Sequence, residues 1–414
     1  MNRKIVVVGG GAAGMLAAIS AAERGAEVSL LEPNERLGKK LNITGKGRCN
    51  VTNDADLAEL MAHVPCNGKF LYSAFSHFDG RDAMAFFEGL GVPLKVERGN
   101  RVFPKSDRSF DVSGALERRL RALHVHWIHD RAVSVQMENG RALGVVGERE
   151  SYPADGVILA TGGVSYPSTG STGDGYRMAG DCGHTVMPLH GSLVPLESDD
   201  GCCAAMQGLA LKNVAITITD QKKKVLYHDF GELLFTHFGL SGPLILSASA
   251  HLRDFSQNQY TLSIDLKPAL DEQKLDARLL RDMEERSNQN FANLLGGLAH
   301  KSMVPVLVKR TGIASNTKVH NITKEQRHVL LQTLKAFTVS LTGTRPVEEA
   351  IVTSGGIRIS EVNPTTMESK LVKGLYFAGE ILDVDAYTGG FNLQIAWATG
   401  RAAGFAAAEE GTHA

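Results

Sequence analysis

Three glycines spaced as Gly9-Gly-Gly11-Ala-Ala-Gly14, with an acid, Glu32, 18 residues further on, form the pattern in this chain that most directly implies chemistry. That chemistry is the grip on a dinucleotide. Gly9 permits a tight turn, Gly11 lets a pyrophosphate lie against backbone N–H groups at a helix N-terminus, and Gly14 allows close helix–strand packing. Ala12 and Ala13, between them, are counted with the binding residues. Glu32 can hold the two hydroxyls of an adenosine ribose. The elements that must position these residues come in the required order. Ile5-Val-Val-Val8 is the β-branched run of a parallel strand buried on both faces. Met15 to Arg24 has alanines and Leu16/Ile19 at helical spacing, Gly25 ends it as a C-cap would, and Ala26 to Leu31 is a second strand. The motif alone does not separate FAD from NAD.

Two further segments decide between them. Gly374-Leu-Tyr-Phe-Ala-Gly379-Glu380 reads as a short buried strand ending at a glycine and an acid, with Glu380 placed for the ribityl chain or, through water, the pyrophosphate. Gly389-Gly390-Phe391-Asn392-Leu393-Gln394 follows, then an alanine-rich helix from Ile395 to Glu409. Paired glycines opening a helix bring N–H groups and a positive dipole end to one point, which suits the N1/C2=O edge of a reduced, anionic flavin. A simple NAD dehydrogenase needs no such C-terminal return. Between the two ends, Gly156 to Leu159 is a buried strand running into Ala160-Thr161-Gly162-Gly163, as in flavoproteins of the two-dinucleotide type. Tyr166-Pro167 and Thr172-Gly173-Asp174-Gly175 come next, the latter similar to a stretch of fumarate reductase flavoproteins.

From Gly38 to Asn53 the chain reads Gly-Lys-Lys-Leu-Asn-Ile-Thr-Gly-Lys-Gly-Arg-Cys-Asn-Val-Thr-Asn. With Arg101-Val-Phe-Pro104-Lys-Ser106, Gly231 through Pro243, Thr353-Ser-Gly355-Gly356-Ile357 and Gly379 through Gln394, this resembles a bacterial flavoprotein family over essentially the whole chain. That family is variously called the HI0933-like, BaiN/RdsA or aminoacetone-oxidase-like group of NAD(P)/FAD-dependent oxidoreductases. The resemblance implies an α/β fold: a discontinuous Rossmann-like FAD-binding domain, residues 1–189 and 346–414, with an inserted mixed β-barrel and helical domain at 190–345. It also implies non-covalent FAD, with Lys40, Gly47, Ala132, Val133 and Gly356 among the cofactor-binding residues. The bare sequence agrees. Val214 to Thr219 and Tyr260 to Asp265 alternate like antiparallel strands, and Asp220 to Lys224 reads as a solvated turn. Thr323-Lys-Glu-Gln326 has capping-box spacing before a helix reaching about Phe337. Ala386 departs from the family pattern, where glycine is expected.

Arg48 and Asn50 lie in a glycine-rich loop that can pass under the pyrophosphate, where a guanidinium can pair with phosphate oxygens. Cys49, with no second cysteine nearby, reads as a packing residue beside the cofactor. His237, in Phe-Thr-His-Phe, is the nominated proton donor to a substrate receiving hydride, with a turn-capping histidine as the plain alternative. Tyr166 and Tyr387 are the other donors considered.

Composition narrows the field. The net charge of -1 over 414 residues, with both signs interspersed, gives no field to attract nucleic acid or an anionic membrane. Five cysteines form neither a C-x-x-C pair nor a zinc spacing, which points to a reducing cytoplasm and no metal. No apolar stretch approaches the roughly 20 residues a membrane helix needs, and a strand beginning at Lys4 leaves no room for a signal peptide. With one dinucleotide fingerprint only, NAD(P)H as reductant must bind transiently over the flavin. The expected reaction is hydride transfer to an activated C=C of a small-molecule enone. An oxidase or dehydrogenase of amines or amino-ketones is the runner-up, and an FAD-binding tRNA-modifying or redox-sensing partner comes third.

Overall fold

In the computed structural model, which describes residues 2–409, the run Lys4–Val8 is the central strand of a five-stranded parallel sheet. The order across it is Leu375–Phe377, Gly156–Leu159, Lys4–Val8, Glu27–Leu31 and His126–Ile128. Ile5 to Val8 and Val157 to Leu159 are all at most 5% exposed, the burial on both faces that their β-branched and leucine side chains require. A strand near the C-terminus thus hydrogen-bonds beside one from the first half of the chain, and neither half completes the sheet alone. This sheet belongs to a compact unit made of the chain up to Ser192 and from Pro346 onward.

Two helices of this unit meet at their backbones. The first, Ala12–Glu23, begins three residues before the expected Met15, because Gly11 is its N-cap and Ala12, Ala13 and Gly14 are already helical. The C-terminal helix, Phe391–Ala408, begins four residues before the expected Ile395: Gly389 and Gly390 take φ of +128° and +100°, and the helix starts at once behind them. A Cβ on Gly400 would lie 2.5 Å from the Ala13 carbonyl oxygen, and one on Gly404 would strike the Ala17 carbonyl. Since 400 meets 13 and 404 meets 17, the two helices run parallel.

The second compact unit, Leu193–Arg345, has its own core. Its seven-stranded antiparallel sheet runs Phe337–Leu341, Tyr260–Asp265, Ala210–Asp220, Val225–Thr236, Gly239–Ser241, Leu196–Glu197, Gly343–Thr344. The two end strands are one stretch of chain divided by Thr342, whose N–H donates to the Glu197 carbonyl, so the sheet wraps into a barrel. The lysines 222–224 are exposed in the turn between its two longest strands. The capping box forms as the spacing predicts, Thr323 and Gln326 each serving the other's backbone, but the helix stops at Lys335. Phe337, expected at its end, instead opens a strand with its ring buried. No helix among the described residues is long and apolar enough to cross a membrane.

His184 tests the packing of the first unit. Its side chain is fully buried, Nε2 lies 2.7 Å from Ser369 Oγ, and Phe377 packs edge-on at 4.7 Å. Burial pushes its pKa below the usual value, with Glu361, 3.3 Å from Nδ1, pulling the other way. The unfolded chain takes up this proton near pH ~6.5 while the folded chain resists it, so the stabilisation is complete above that pH and is lost as pH falls. Urea midpoints are therefore expected to drop between pH 7.5 and 5.5, with a shallower slope for His184→Gln. Equal slopes would remove His184 as the cause. A second expectation concerns the helix crossing. Gly400→Ala should destabilise by about 1–3 kcal/mol in urea melts. Gly180→Ala, in the helix Asp174–Asp181 with open space around it, should be neutral or gain about 0.5–1 kcal/mol.

Candidate active site

The glycine loop is built around backbone approach at two of its positions and open space at a third. Gly9 has φ of +105°, and a Cβ there would lie 2.5 Å from the Ala160 carbonyl oxygen; one on Gly14 would strike the Gly9 carbonyl. At Gly11 a Cβ would meet nothing within 4 Å. No side chain caps the helix, and Met15 is the first residue whose N–H bonds back, to Gly11. The N–H groups ahead of it therefore face that space without a helical partner, the arrangement that holds an anion. Glu32, 9% exposed, is fixed to this loop: Oε2 accepts from Gly10 N–H at 2.8 Å, and Oε1 from the Asn34 backbone and side chain at 2.8 and 2.7 Å. Oε1 has both lone pairs engaged, whereas Oε2 accepts once and keeps a lone pair for a ribose hydroxyl.

About 12 Å back against the shared helix direction lies the head of the C-terminal helix, since Phe391 precedes by eight residues the position level with Ala12, at 1.5 Å each. No side chain caps this helix either. Asn392 and Gln394, expected at the cofactor, are braces. The Asn392 amide bonds to N–H and carbonyl of Ala386, and the Gln394 amide accepts from Thr52 Oγ and donates to the Phe78 carbonyl. Phe391, 3% exposed, stacks on His63 at 4.1 Å. What the segment Gly390 to Leu393 offers a ligand is its backbone. Ala386 has no positive φ, so the missing glycine costs nothing there.

Between the two helix starts, Gly379 has φ of +76°, and its Cβ would lie 2.7 Å from that of Ala13. This sets Glu380 beside the glycine loop. Lys40 Nζ holds its carboxylate at 2.7 Å and Ser165 Oγ at 2.7 Å, while Thr353 N–H donates to Oε1 at 2.8 Å. Gly163 is tight against Thr353 and Glu380, and a Cβ on Gly356 would lie 2.5 Å from the Ile381 carbonyl oxygen, so both are close crossings; Gly162 turns with φ of +75°. Ala132 is buried at the start of a strand whose next residue, Val133, accepts from Arg177 at 2.8 Å through its carbonyl. Asp174 opens a helix with its carboxylate committed to Arg131 at 2.7 Å and Thr172 at 2.9 Å.

The loop from Gly45 to Cys49 is left-handed at Gly45, Lys46, Gly47 and Cys49, and right-handed at Arg48 alone. The alternation from Gly47 to Cys49 turns neighbouring backbone N–H groups toward one point. Arg48, expected on a phosphate, is placed elsewhere. Its Nε donates to Asp107 at 2.7 Å, its Nη1 to Glu97 at 3.3 Å, and its plane lies 4.1 Å over the Phe103 ring. Two nearby carboxylates have claimed the guanidinium, and Arg48 holds Glu97 below the usual carboxylate range. Cys49 is fully buried, its thiol pushed up to about 12 by burial, a packing residue without thiolate character.

Three buried oxygens in this unit have no hydrogen-bond partner among the described residues: Asn50 Oδ1, Asn53 Oδ1 and Thr161 Oγ. Buried acceptors are nearly always paired, so these mark groups awaiting a ligand or water. With the two uncapped helix starts and the space at Gly11, they fit a dinucleotide cofactor. Asn53 was not singled out by sequence reasoning although it closes the Gly38–Asn53 block; only the orphan oxygen reveals it.

The nominated proton donors stand apart in kind. Tyr387 is half-buried, donates its N–H to the His63 carbonyl at 3.0 Å and meets the His63 ring edge-on at 6.1 Å. Tyr166 is half-buried with φ of +52° before a short helical turn. His237, in the second unit, is exposed and leans on Phe238 at 5.1 Å, with no hydrogen bond among the described residues, so it does not cap its turn.

Parallel sheet, glycine loop and barrel define a flavoprotein of the two-dinucleotide type. A family model for the HI0933-like protein Rossmann domain matches residues 3–406, and the chain belongs to that family of flavin-dependent oxidoreductases. It is 32% identical over 413 residues to the 3-dehydro-bile acid delta(4,6)-reductase of Clostridium scindens, covering 99% of this chain and 100% of that one. It is 30% identical over 395 residues to the ribosomal RNA dihydrouridine synthase of Escherichia coli, covering 95% of each. The structure of 3-ketosteroid-delta4-(5alpha)-dehydrogenase from Rhodococcus jostii aligns with a TM-score of 0.54 at 16% identity, over 99% of this chain and 97% of that one, a likeness of fold.

Arg48→Ala is expected to lower stability by about 1 kcal/mol through the lost ring contact and ion pairs. FAD affinity, read by fluorescence on reconstitution, should change less than about threefold, within the effect of a distant screened charge. A loss beyond tenfold would return the guanidinium to the phosphate.

Proposed function

We propose that this protein is an FAD-dependent reductase that adds hydride to a C=C bond conjugated to a carbonyl, with NAD(P)H as the transient electron donor. The observation that carries the cofactor is the pair of uncapped, parallel helix starts offset by about 12 Å along their axes, with an acid fixed at one end and a glycine pair at the other. FAD bound there supplies the hydride. The N–H groups ahead of Met15 would hold the pyrophosphate and Glu32 the ribose, while the head of the C-terminal helix favours negative charge at the pyrimidine edge. Lys40 and Ser165 keep the Glu380 carboxylate in one orientation beside the ribityl path. Tyr387, next to the helix head, and Tyr166 are the candidate proton donors of the first unit, and His237 that of the second.

Support for the reaction comes from the full-length relatives. A bile-acid delta(4,6)-reductase and a dihydrouridine synthase both saturate a C=C conjugated to a carbonyl, in a steroid ring or in uracil. The higher identity favours a steroid-like enone. The RNA-directed relative favours a second reading, a uracil in RNA, and outweighs the neutral net charge that argued against a nucleic-acid partner.

The test is anaerobic mixing of the photoreduced holoenzyme with Δ4-3-ketosteroids, unsaturated 3-oxo-bile acids and ribosomal RNA transcripts, followed by flavin absorbance. Reoxidation by a steroid enone with a saturated product supports the proposal. Reoxidation by RNA alone transfers the reaction to uracil. Reoxidation by neither, with peroxide formed from an amine in air, sinks the reductase reading. Bleaching of the oxidised enzyme by NADH or NADPH tests the donor.

A further inference from the structure

We infer that Asn53 reads the imide N–H of the flavin, N3–H, its Oδ1 accepting that hydrogen while backbone N–H groups at the head of the C-terminal helix face the adjoining ring carbonyl. The inference rests on the FAD reading and assigns one contact within it.

Asn53 is 1% exposed and lies on the two-residue strand Thr52–Asn53, against the start of the C-terminal helix. A Cβ on Gly390 would strike the Thr52 carbonyl, so strand and helix head touch through their backbones. The amide orientation is fixed by its neighbours. Nδ2 donates to the Gly389 carbonyl at 2.9 Å and to the Gly99 carbonyl at 3.0 Å. Two carbonyl oxygens accept only from a donor, so the opposite orientation would set acceptor against acceptor twice. The outer atom is therefore an oxygen, and it is buried with no partner among the described residues.

Helix head and orphan oxygen together present donors beside an acceptor. The complement is an O=C–N–H edge. The isoalloxazine ring carries this edge at C2=O/N3–H, and N3–H is the only N–H of the oxidised ring. Gly389 and Gly390 let the chain pass close here, since a Cβ on Gly389 would lie 2.9 Å from the Phe391 ring and one on Gly390 2.3 Å from the Thr52 carbonyl oxygen, and the Gly389 carbonyl is held by the same amide that does the reading.

The experiment compares FAD with 3-methyl-FAD, which cannot donate at N3, on the reconstituted full chain by fluorescence titration. Wild-type protein is expected to bind 3-methyl-FAD at least about tenfold more weakly, the scale of one lost hydrogen bond. Asn53→Ala makes room for the methyl and removes the acceptor, so its ratio should fall below about threefold; a purely structural role would weaken both flavins and leave the ratio unchanged. Should that variant not fold, N3–H exchange in the wild-type holoenzyme with 15N-labelled flavin decides: exchange slowed at least tenfold supports the contact, and exchange at the free rate overturns it. Equal wild-type affinity for the two flavins, or a ratio the variant does not change, overturns the inference and leaves the FAD reading standing. Failure to take up either flavin overturns both.

Discussion

The approach of two helix backbones at Gly400 and Gly404 is the constraint on which the site depends. With carbonyls of Ala13 and Ala17 where side chains would otherwise lie, the helices are locked parallel and in fixed axial register. Register is what function needs here. Sliding the C-terminal helix by one turn would move its head by about 5.4 Å relative to the glycine loop, and one cofactor could no longer meet both. Helix contacts between ordinary side chains tolerate such shifts better, because interdigitated rotamers can repack, whereas a carbonyl against a glycine has nothing to adjust.

Around that crossing, polar side chains mostly hold the frame, and the backbone is left to meet the ligand. Gln394 ties the C-terminal helix to Thr52 and Phe78, Asn392 ties its head to Ala386, and Lys40 ties Glu380 to Ser165. Arg48 anchors the left-handed loop to the hairpin carrying Glu97. Each bond removes freedom from a segment whose N–H groups must point at one place, and a preorganised donor loses less on binding than one that must first be ordered.

The parts of this arrangement legible in the chain were those governed by local rules. Glycine spacing, the β-branched run at Ile5 and the capping box at Thr323 each declare a conformation within a few residues, and the structure shows all three. The fold class, a discontinuous domain with an insert, came from the family resemblance, and these local features and the two glycine-headed helices at opposite ends of the chain agree with it. Side-chain roles depended on partners far away in sequence. Nothing near Arg48 announces that Glu97 and Asp107 will reach it first, and nothing near Gln394 announces Phe78. Asn53 is the reverse case: its significance lies in a bond it does not make, which only three-dimensional accounting exposes. The helix boundaries shifted for a simpler reason, since glycines taken as a loop can themselves serve as the last non-helical residue.

Those unmade bonds bear on how fold and cofactor are related. Asn50, Asn53 and Thr161 come from two separate stretches of chain, and each leaves a buried oxygen without a donor. An orphan of this kind costs about 1–3 kcal/mol. Two uncapped helix starts add to the deficit, because the N–H groups of a first turn otherwise go to side chains or water. A protein whose stability is only 5–15 kcal/mol has little room for several such groups unless something else satisfies them. A ligand that binds only the folded chain returns that free energy as stability. The glycine crossing, which sets the helix heads, and a cofactor that would satisfy them on binding therefore bear on the same equilibrium, so that on the proposed reading the discontinuous unit and its cofactor are one folding problem.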